Sequence, residues 1–231
     1  MKRLERTTRK RITAIFRRLD YETLGRLYCD EGGEAFWKDR RGPCQEFGTR
    51  IAEALLDRLP TGGRSLYVGA GVAEIPMIAA ESFDLGRTVA AFNLRADEVR
   101  VLNDACREDG FRWSSADAVL AEGTFDHLWI VSVLNDPERF PELSALAYGR
   151  ANPVLFDCGR FEQERNAVTS LTAACMDKLA TPGWVTTSVE ETPWIAAWCQ
   201  KNGRTFGVDG DDYPTAIVGD PLCFIRIAER G

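Results

Sequence analysis

The sequence predicts an α/β fold, a doubly wound and mostly parallel sheet, on three observations. Apolar strand-like runs alternate with stretches of helical spacing from about residue 64 onward. The run Phe125 to Val133, FDHLWIVSV, is almost continuously apolar, as in a strand covered on both faces. Arg64 to Glu81, RSLYVGAGVAEIPMIAAE, breaks from a short apolar run into two close glycines and resumes with helical spacing, the pattern of strand, tight turn and helix.

Taken in order, residues 2–18 carry eight basic side chains against Glu5, with Ile12, Ile15, Phe16 and Leu19 on one stripe, so an amphipathic basic helix is expected. Such a helix either packs its stripe on the domain or grips RNA, an anionic surface or an acidic partner. Tyr28 to Cys44 reads as a loop in which Phe36 and Trp37 are anchors or part of a lid. Residues 1–44 thus form an N-terminal helical extension and candidate lid, and residues 45–231 the main domain. Within it, Gln45 to Leu59 is a helix ended by Pro60, Thr61, Gly62 and Gly63. Strands are expected at Thr88–Phe92, Phe111–Ser115, Pro153–Asp157, Trp184–Val189 and Leu222–Ala228. Helices are expected at Ala96–Arg107, Pro137–Tyr148, Glu162–Leu179 and Thr192–Gln200. An insertion covers about residues 191–221, with Trp194, Trp198 and Tyr213 as pocket-lining or core aromatics and with acids at Asp209, Asp211 and Asp212.

At the glycine turn, Gly69 and Gly71 permit a sharp bend and close approach of a ligand to the backbone. A helix opening near Val72 to Glu74 tolerates Pro76 in its first turn and leaves free amides that favour an electron-rich group. A nucleotide-like cofactor and an ordinary turn in an α/β domain both satisfy the pattern. The dinucleotide spacing would place Glu74 opposite a pyrophosphate, which is electrostatically wrong, and no Gly-Lys-Ser or Gly-Lys-Thr phosphate loop follows.

Composition narrows the classes further. The chain has 231 residues, 45% of them hydrophobic, and a net charge of -6, which disfavours a surface built wholly for nucleic acid. No apolar run approaches the length of a membrane span, and the N-terminus lacks a secretory apolar core. Seven cysteines without a Cys-x-x-Cys pair, and one histidine, describe neither a zinc site nor a disulfide framework. A reduced, cytoplasmic protein without a metal is expected.

From about Gln45 onward the chain resembles the class I S-adenosylmethionine-dependent methyltransferases. The resemblance rests on Gly69, Gly71 and Ala73 at Gly-x-Gly-x-Gly spacing, on the following VAAFNLRADEVRVLNDACRE, on SSADAV, on FDHLWIVSVLND and on the late strands beginning at Gly183 and Leu222. It implies a seven-stranded sheet whose sixth strand opens at Gly183 and Trp184 and whose seventh is antiparallel. It also implies S-adenosylmethionine held by Tyr67, Gly69, Gly71, Ala73, Asn93 and Asp117. Tyr67 and Asn93 stand where the family usually has acids, and Ala73 replaces its third glycine.

Methyl transfer needs alignment, desolvation and, for a protonated acceptor, a base. Asp136 and Asp157, at the ends of strands, are the candidate catalytic acids for orienting or deprotonating the acceptor, with helix capping as their structural role. His127, near the start of its strand, reads as structural, and Cys158 as a buried thiol. The expected function is methylation of a small-molecule acceptor. The alternatives are a non-catalytic interaction or scaffold protein of the same fold, and an RNA-directed methyltransferase using the basic helix.

Overall fold

A computed structural model describes residues 2–29, 33–209, 213–217 and 219–229. The helices, in chain order, are α1 (Arg6–Arg18), α2 (Tyr21–Tyr28), α3 (Gly33–Lys38), α4 (Arg41–Arg58), α5 (Ile75–Ala79), α6 (Ala96–Ala105), α7 (Pro141–Ala147), α8 (Cys158–Met176) and α9 (Thr192–Lys201). The strands are β1 (Arg64–Val68), β2 (Thr88–Phe92), β3 (Trp113–Ser114), β4 (Phe125–Ile130), β5 (Leu179–Ser188), β6 (Arg204–Val208), β7 (Tyr213–Pro214) and β8 (Pro221–Glu229). The chain divides into two compact units, residues 1–122 with 213–219, and residues 123–212 with 220–231.

In the first unit β1, β2 and β3 pair in parallel, with Val68 opposite Phe92 and Phe92 opposite Ser114. Leu66, Tyr67 and Val68 are buried, as the apolar run of a covered strand requires. The turn to Gly69 leads through a 3-10 turn, Val72–Glu74, into α5, with Pro76 in its first turn. Helix α1 buries Ile12, Ile15 and Phe16 and packs on α4, α5 and α6. Its charges meet the unit's own acids: Arg9 pairs with Glu53, Arg18 with Asp109, and Arg11 approaches Asp109 at 3.7 Å. The stripe is therefore core. Asp211 and Asp212 lie outside the described residues.

The segment read as a loop from Tyr28 to Cys44 is instead largely helical. Asp20 caps α2 by accepting from the Thr23 amide at 3.0 Å. α3 then folds back on α2 so closely that a Cβ on Gly25 would lie 1.6 Å from the Gly33 carbonyl oxygen. Trp37 is fully buried, against Tyr21, Tyr28 and Phe36, so Trp37 packs α3 onto α2 as an anchor between the two helices.

In the second unit β4 pairs in parallel with β5, β5 antiparallel with β8, and β8 antiparallel with β6. Three sequence expectations are corrected here. Residues 153–157 form turns, not a strand, with Val154 and Leu155 exposed at 88% and 76%. The fifth strand is consequently the one containing Gly183 and Trp184, and the sixth is β6, inside the span expected as an insertion. Strand β6 is an edge strand with most residues exposed, so it lacks the apolar signature of a covered strand. The helix expected from Pro137 begins at Pro141, with Phe140 at its N-cap. Among the described residues no helix is long and apolar enough to cross a membrane.

Candidate functional site

At the carboxyl edge of β1, Gly69 adopts φ 70° and is exposed, a conformation that side-chain-bearing residues rarely take. The Ala70 amide donates to the Phe92 carbonyl at 2.9 Å, tying the turn to the end of β2. The Gly71 amide donates to Glu74 Oε2 at 2.7 Å. Gly71 faces Glu98 on α6, and a Cβ there would lie 2.6 Å from Glu98 Oε1 and 3.1 Å from the Tyr28 hydroxyl. A side chain at this position would push the ends of Glu98 and Tyr28 aside.

Glu98 is almost fully buried and gathers donors from three directions. Tyr28 donates its hydroxyl to Oε1 at 2.6 Å, Asn93 donates Nδ2 to Oε2 at 3.2 Å, and the Val72 amide also donates to the carboxylate. Burial raises the Glu98 pKa above the ordinary carboxylate value, opposed by these hydrogen bonds and by Arg95. Burial, then the adjacent Glu98, raises the Tyr28 pKa well above the usual phenol value. Asn93 also donates to the Ala70 carbonyl at 2.9 Å and accepts from the Arg95 amide at 2.8 Å, so its side-chain amide is engaged at both ends.

Tyr67 points elsewhere. Its ring is fully buried and its hydroxyl donates to Glu81, which also receives Ser65 and Arg87. Ala73 is half-buried in the 3-10 turn. Asp117 caps the 3-10 turn Ala118–Leu120 by accepting from the Val119 amide at 3.0 Å. Next to these polar positions, Leu94, beyond β2, and Leu120, beyond β3, are exposed at 54% and 69%.

In the second unit Asp136 Oδ1 accepts from the Glu138 amide at 2.9 Å, and the Asp136 carbonyl accepts from the Phe140 amide at 2.8 Å. Asp157 caps α8, accepting from the Arg160 amide at 3.0 Å. Glu191 is fully buried and accepts from the amides of Ser132, Val133 and Leu134, which fold the chain after β4 around one carboxylate, with Ser132 at φ 56°. Burial raises the Glu191 pKa, opposed by hydrogen bonds from the Leu134 amide foremost, then from Ser188 and the Val133 amide. His127 is buried in β4, with Nε2 at 2.9 Å from Thr186 Oγ1, in keeping with a structural role. Cys158, expected to be buried, is exposed as the first residue of α8. Among the described residues no cluster of His, Cys, Asp and Glu has the grouping of a metal site.

No protein-family profile matches the sequence. The chain is 29% identical over 130 residues to the methyltransferase GfsG of Streptomyces halstedii, a match covering 51% of this chain and 46% of that protein. The chain thus spans about half the length of this curated relative. Among solved structures, the magnesium protoporphyrin IX methyltransferase of Synechocystis PCC 6803, solved with SAM bound, superposes with a TM-score of 0.53 at 12% identity, over 95% of this chain and 96% of that one. The Pyrococcus horikoshii protein PH0793 gives a TM-score of 0.51 at 9% identity, over 81% of this chain and 64% of its own. The fold is that of the class I methyltransferases.

On the class I methyltransferase fold the glycine turn, the ends of β2 and β3 and the turn at Asp117 belong to one unit, and the sequence motifs had singled out their residues. Glu98 and Tyr28 had not been singled out. Glu98 looks like an ordinary acid in the first turn of a helix, where the dipole favours it, and Tyr28 like a loop residue. The only sequence signal for Glu98 was its place on the apolar side of α6, with Val99, Val101, Leu102 and Ala105 as the buried neighbours. Glu191 gave no more sign, since the two adjacent acids in VEET read as a solvated helix start.

Proposed function

We propose that this protein is an S-adenosylmethionine-dependent methyltransferase acting on a small-molecule acceptor. The observation that carries this reading is the carboxyl edge of β1, β2 and β3, where exposed Gly69 and the exposed apolar side chains of Leu94 and Leu120 accompany the polar Asp117. That set of groups fits the adenosine half of the cofactor: apolar side chains for the base, a carboxylate for its amino group, and a turn with little bulk beside the sugar. The methionine half is matched less closely, because Tyr67 gives its hydroxyl to Glu81. Gly69, Gly71, Ala73, Asn93 and Asp117 are accordingly the residues proposed around the cofactor, with Tyr67 supporting the strand beneath it.

When bound, the cofactor supplies an electrophilic methyl group on a sulfonium. The chain's own part is to exclude water and to orient the acceptor. Asp136 and Asp157 are proposed for orienting or deprotonating it. Each spends Oδ1 on a local amide, which fixes the carboxylate's direction. A small-molecule acceptor is favoured over RNA because α1 turns its apolar stripe into the core and pairs Arg9 and Arg18 with Glu53 and Asp109. The name of the half-matched relative, a methyltransferase, supports the reaction class.

A second reading, a non-catalytic protein of this fold, draws on the Tyr28 hydroxyl lying against Gly71, where it fills part of the turn. Calorimetric titration with S-adenosylhomocysteine separates the two. Saturable heat supports the enzyme, and no heat up to millimolar ligand favours the scaffold. An acceptor screen reading S-adenosylhomocysteine release then identifies the acceptor.

A further inference from the structure

The end of β2 is where a nucleotide-binding α/β unit places the acid that accepts hydrogen bonds from a ribose. Here that position is Asn93, and its side chain is already committed to Ala70, Glu98 and the Arg95 amide. The carboxyl group at this spot belongs instead to Glu98, in the first turn of α6, with its Oε1 against Gly71. Two of its donors, Asn93 and Val72, belong to the strand, turn and helix that frame the site. The third, Tyr28, arrives from α2 in the N-terminal extension at 2.6 Å, closer than Asn93 at 3.2 Å.

A hydroxyl donating to a buried carboxylate is the same bond a ribose hydroxyl would make. We propose that Glu98 is the acceptor for the ribose hydroxyls of the adenosyl cofactor, and that the Tyr28 hydroxyl holds that place until the cofactor displaces it. The assignment rests on the cofactor reading above. A buried carboxylate stripped of donors is costly, so without a ligand another donor must stand there. Exchanging a phenol for a sugar hydroxyl keeps the carboxylate satisfied throughout. Tyr28 is well placed to be held in reserve: its ring stacks on Phe36 at 5.6 Å, meets Trp37 edge-on at 5.3 Å and lies under the Arg95 guanidinium at 5.4 Å. The bond to Glu98 can therefore be released while aromatic contacts retain the side chain.

The test titrates the full chain calorimetrically with S-adenosylhomocysteine and with its 2′,3′-dideoxy analogue, using wild type, Tyr28→Phe and Glu98→Gln. Losing hydrogen bonds to a charged group predicts that wild type binds the dideoxy analogue about tenfold or more weakly. Tyr28→Phe, which removes the competing hydroxyl but keeps the ring, is expected to bind S-adenosylhomocysteine about tenfold more tightly. Glu98→Gln is expected to bind it about tenfold more weakly and to lose most of the discrimination between the two ligands. If wild type binds both ligands equally, or Tyr28→Phe leaves the affinity unchanged, the assignment is overturned while the cofactor reading stands. The same follows if Glu98→Gln binds S-adenosylhomocysteine as wild type does. No binding by wild type and Tyr28→Phe alike overturns both. The wild-type and Tyr28→Phe comparisons decide the matter even if Glu98→Gln fails to fold.

Discussion

Arg87 donates from Nε to Oε2 of Glu81 at 3.1 Å, with both side chains fully buried. The pair is completed by donors and acceptors around it: Ser65 and Tyr67 donate to Glu81, and Arg87 also donates to the carbonyls of Pro60, Gly62 and Arg64. A buried pair owes its value to such completeness, and removing one partner leaves an uncompensated charge. Arg87→Ala is expected to cost about 3–5 kcal/mol. Tyr67→Phe is expected to cost about 1–3 kcal/mol and to leave S-adenosylhomocysteine affinity unchanged. Urea unfolding and calorimetry check the two halves, and a Tyr67→Phe variant that loses ligand affinity at full stability would place Tyr67 at the cofactor.

Gly25 and Gly33 put α2 and α3 in backbone contact, and a methyl group on Gly25 meets the Gly33 carbonyl oxygen at 1.6 Å. Rigid backbone cannot yield as the end of a side chain can. Gly25→Ala is expected to destabilise by about 1–3 kcal/mol, read as a lower Tm, through forced separation of the two helices. An unchanged Tm would show that the helices are not packed at this point.

The raised pKa of Glu191 has a definite sign. A carboxyl group whose folded pKa lies above its unfolded value binds its proton more tightly when folded. That contribution is fully present below the ordinary glutamate range, about pH 4.3, and is lost as pH rises toward the folded pKa. Glu191→Gln lacks this titration, so the stability of wild type minus that of the variant is expected to fall as pH rises above the ordinary glutamate value of about 4.3. Denaturant melts across that range measure the difference, and a difference that grows with pH contradicts the burial account.

Cys29 and Cys158 are exposed, whereas Cys44, Cys106, Cys175, Cys199 and Cys223 are buried. Burial pushes the thiols of Cys44 and Cys106 up to about 12 and that of Cys199 to about 11, which suppresses the reactive thiolate. Ellman titration of the native protein at pH 8 is therefore expected to count Cys29 and Cys158 promptly and the others only after denaturation. Fast reaction of more than these two would show that the core opens readily.

Asp136→Asn and Asp157→Asn separate catalysis from local structure, which is a turn for Asp136 and the cap of α8 for Asp157, so the helix cap expected for Asp136 is not formed. Asparagine caps about as well as aspartate, so both variants are expected to keep their stability within about 0.5 kcal/mol. Loss of a general base lowers kcat by about 10²-fold or more, and this drop is expected in the acceptor-dependent reaction found by screening. A kcat unchanged in both variants assigns Asp136 to its turn and Asp157 to its cap alone.

The fold was legible where burial is written in local pattern. Strands β1 and β4 carry the apolar residues that a covered strand needs, and Thr88–Phe92 was located to the residue although most of it is only half-buried. The glycine turn and Pro76 announced themselves through backbone chemistry. Pattern misled where burial did not follow it. PVLFD at residues 153–157 is apolar yet exposed in turns, and Arg204–Val208 is a real strand that an exposed edge leaves without an apolar face. The fifth and sixth strands were displaced by one position for this reason.

Alternation of strand and helix and the glycine turn are properties of neighbouring residues, and the chain alone settles them because steric and hydrophobic periodicity act over a few positions. Only tertiary structure could decide that Asn93 is spent on its surroundings and that Glu98 is buried against Gly71 with the hydroxyl of Tyr28, seventy residues earlier, as its donor. A buried carboxylate is tolerable only with partners in place, and those partners are chosen by distance in space, which no local pattern records.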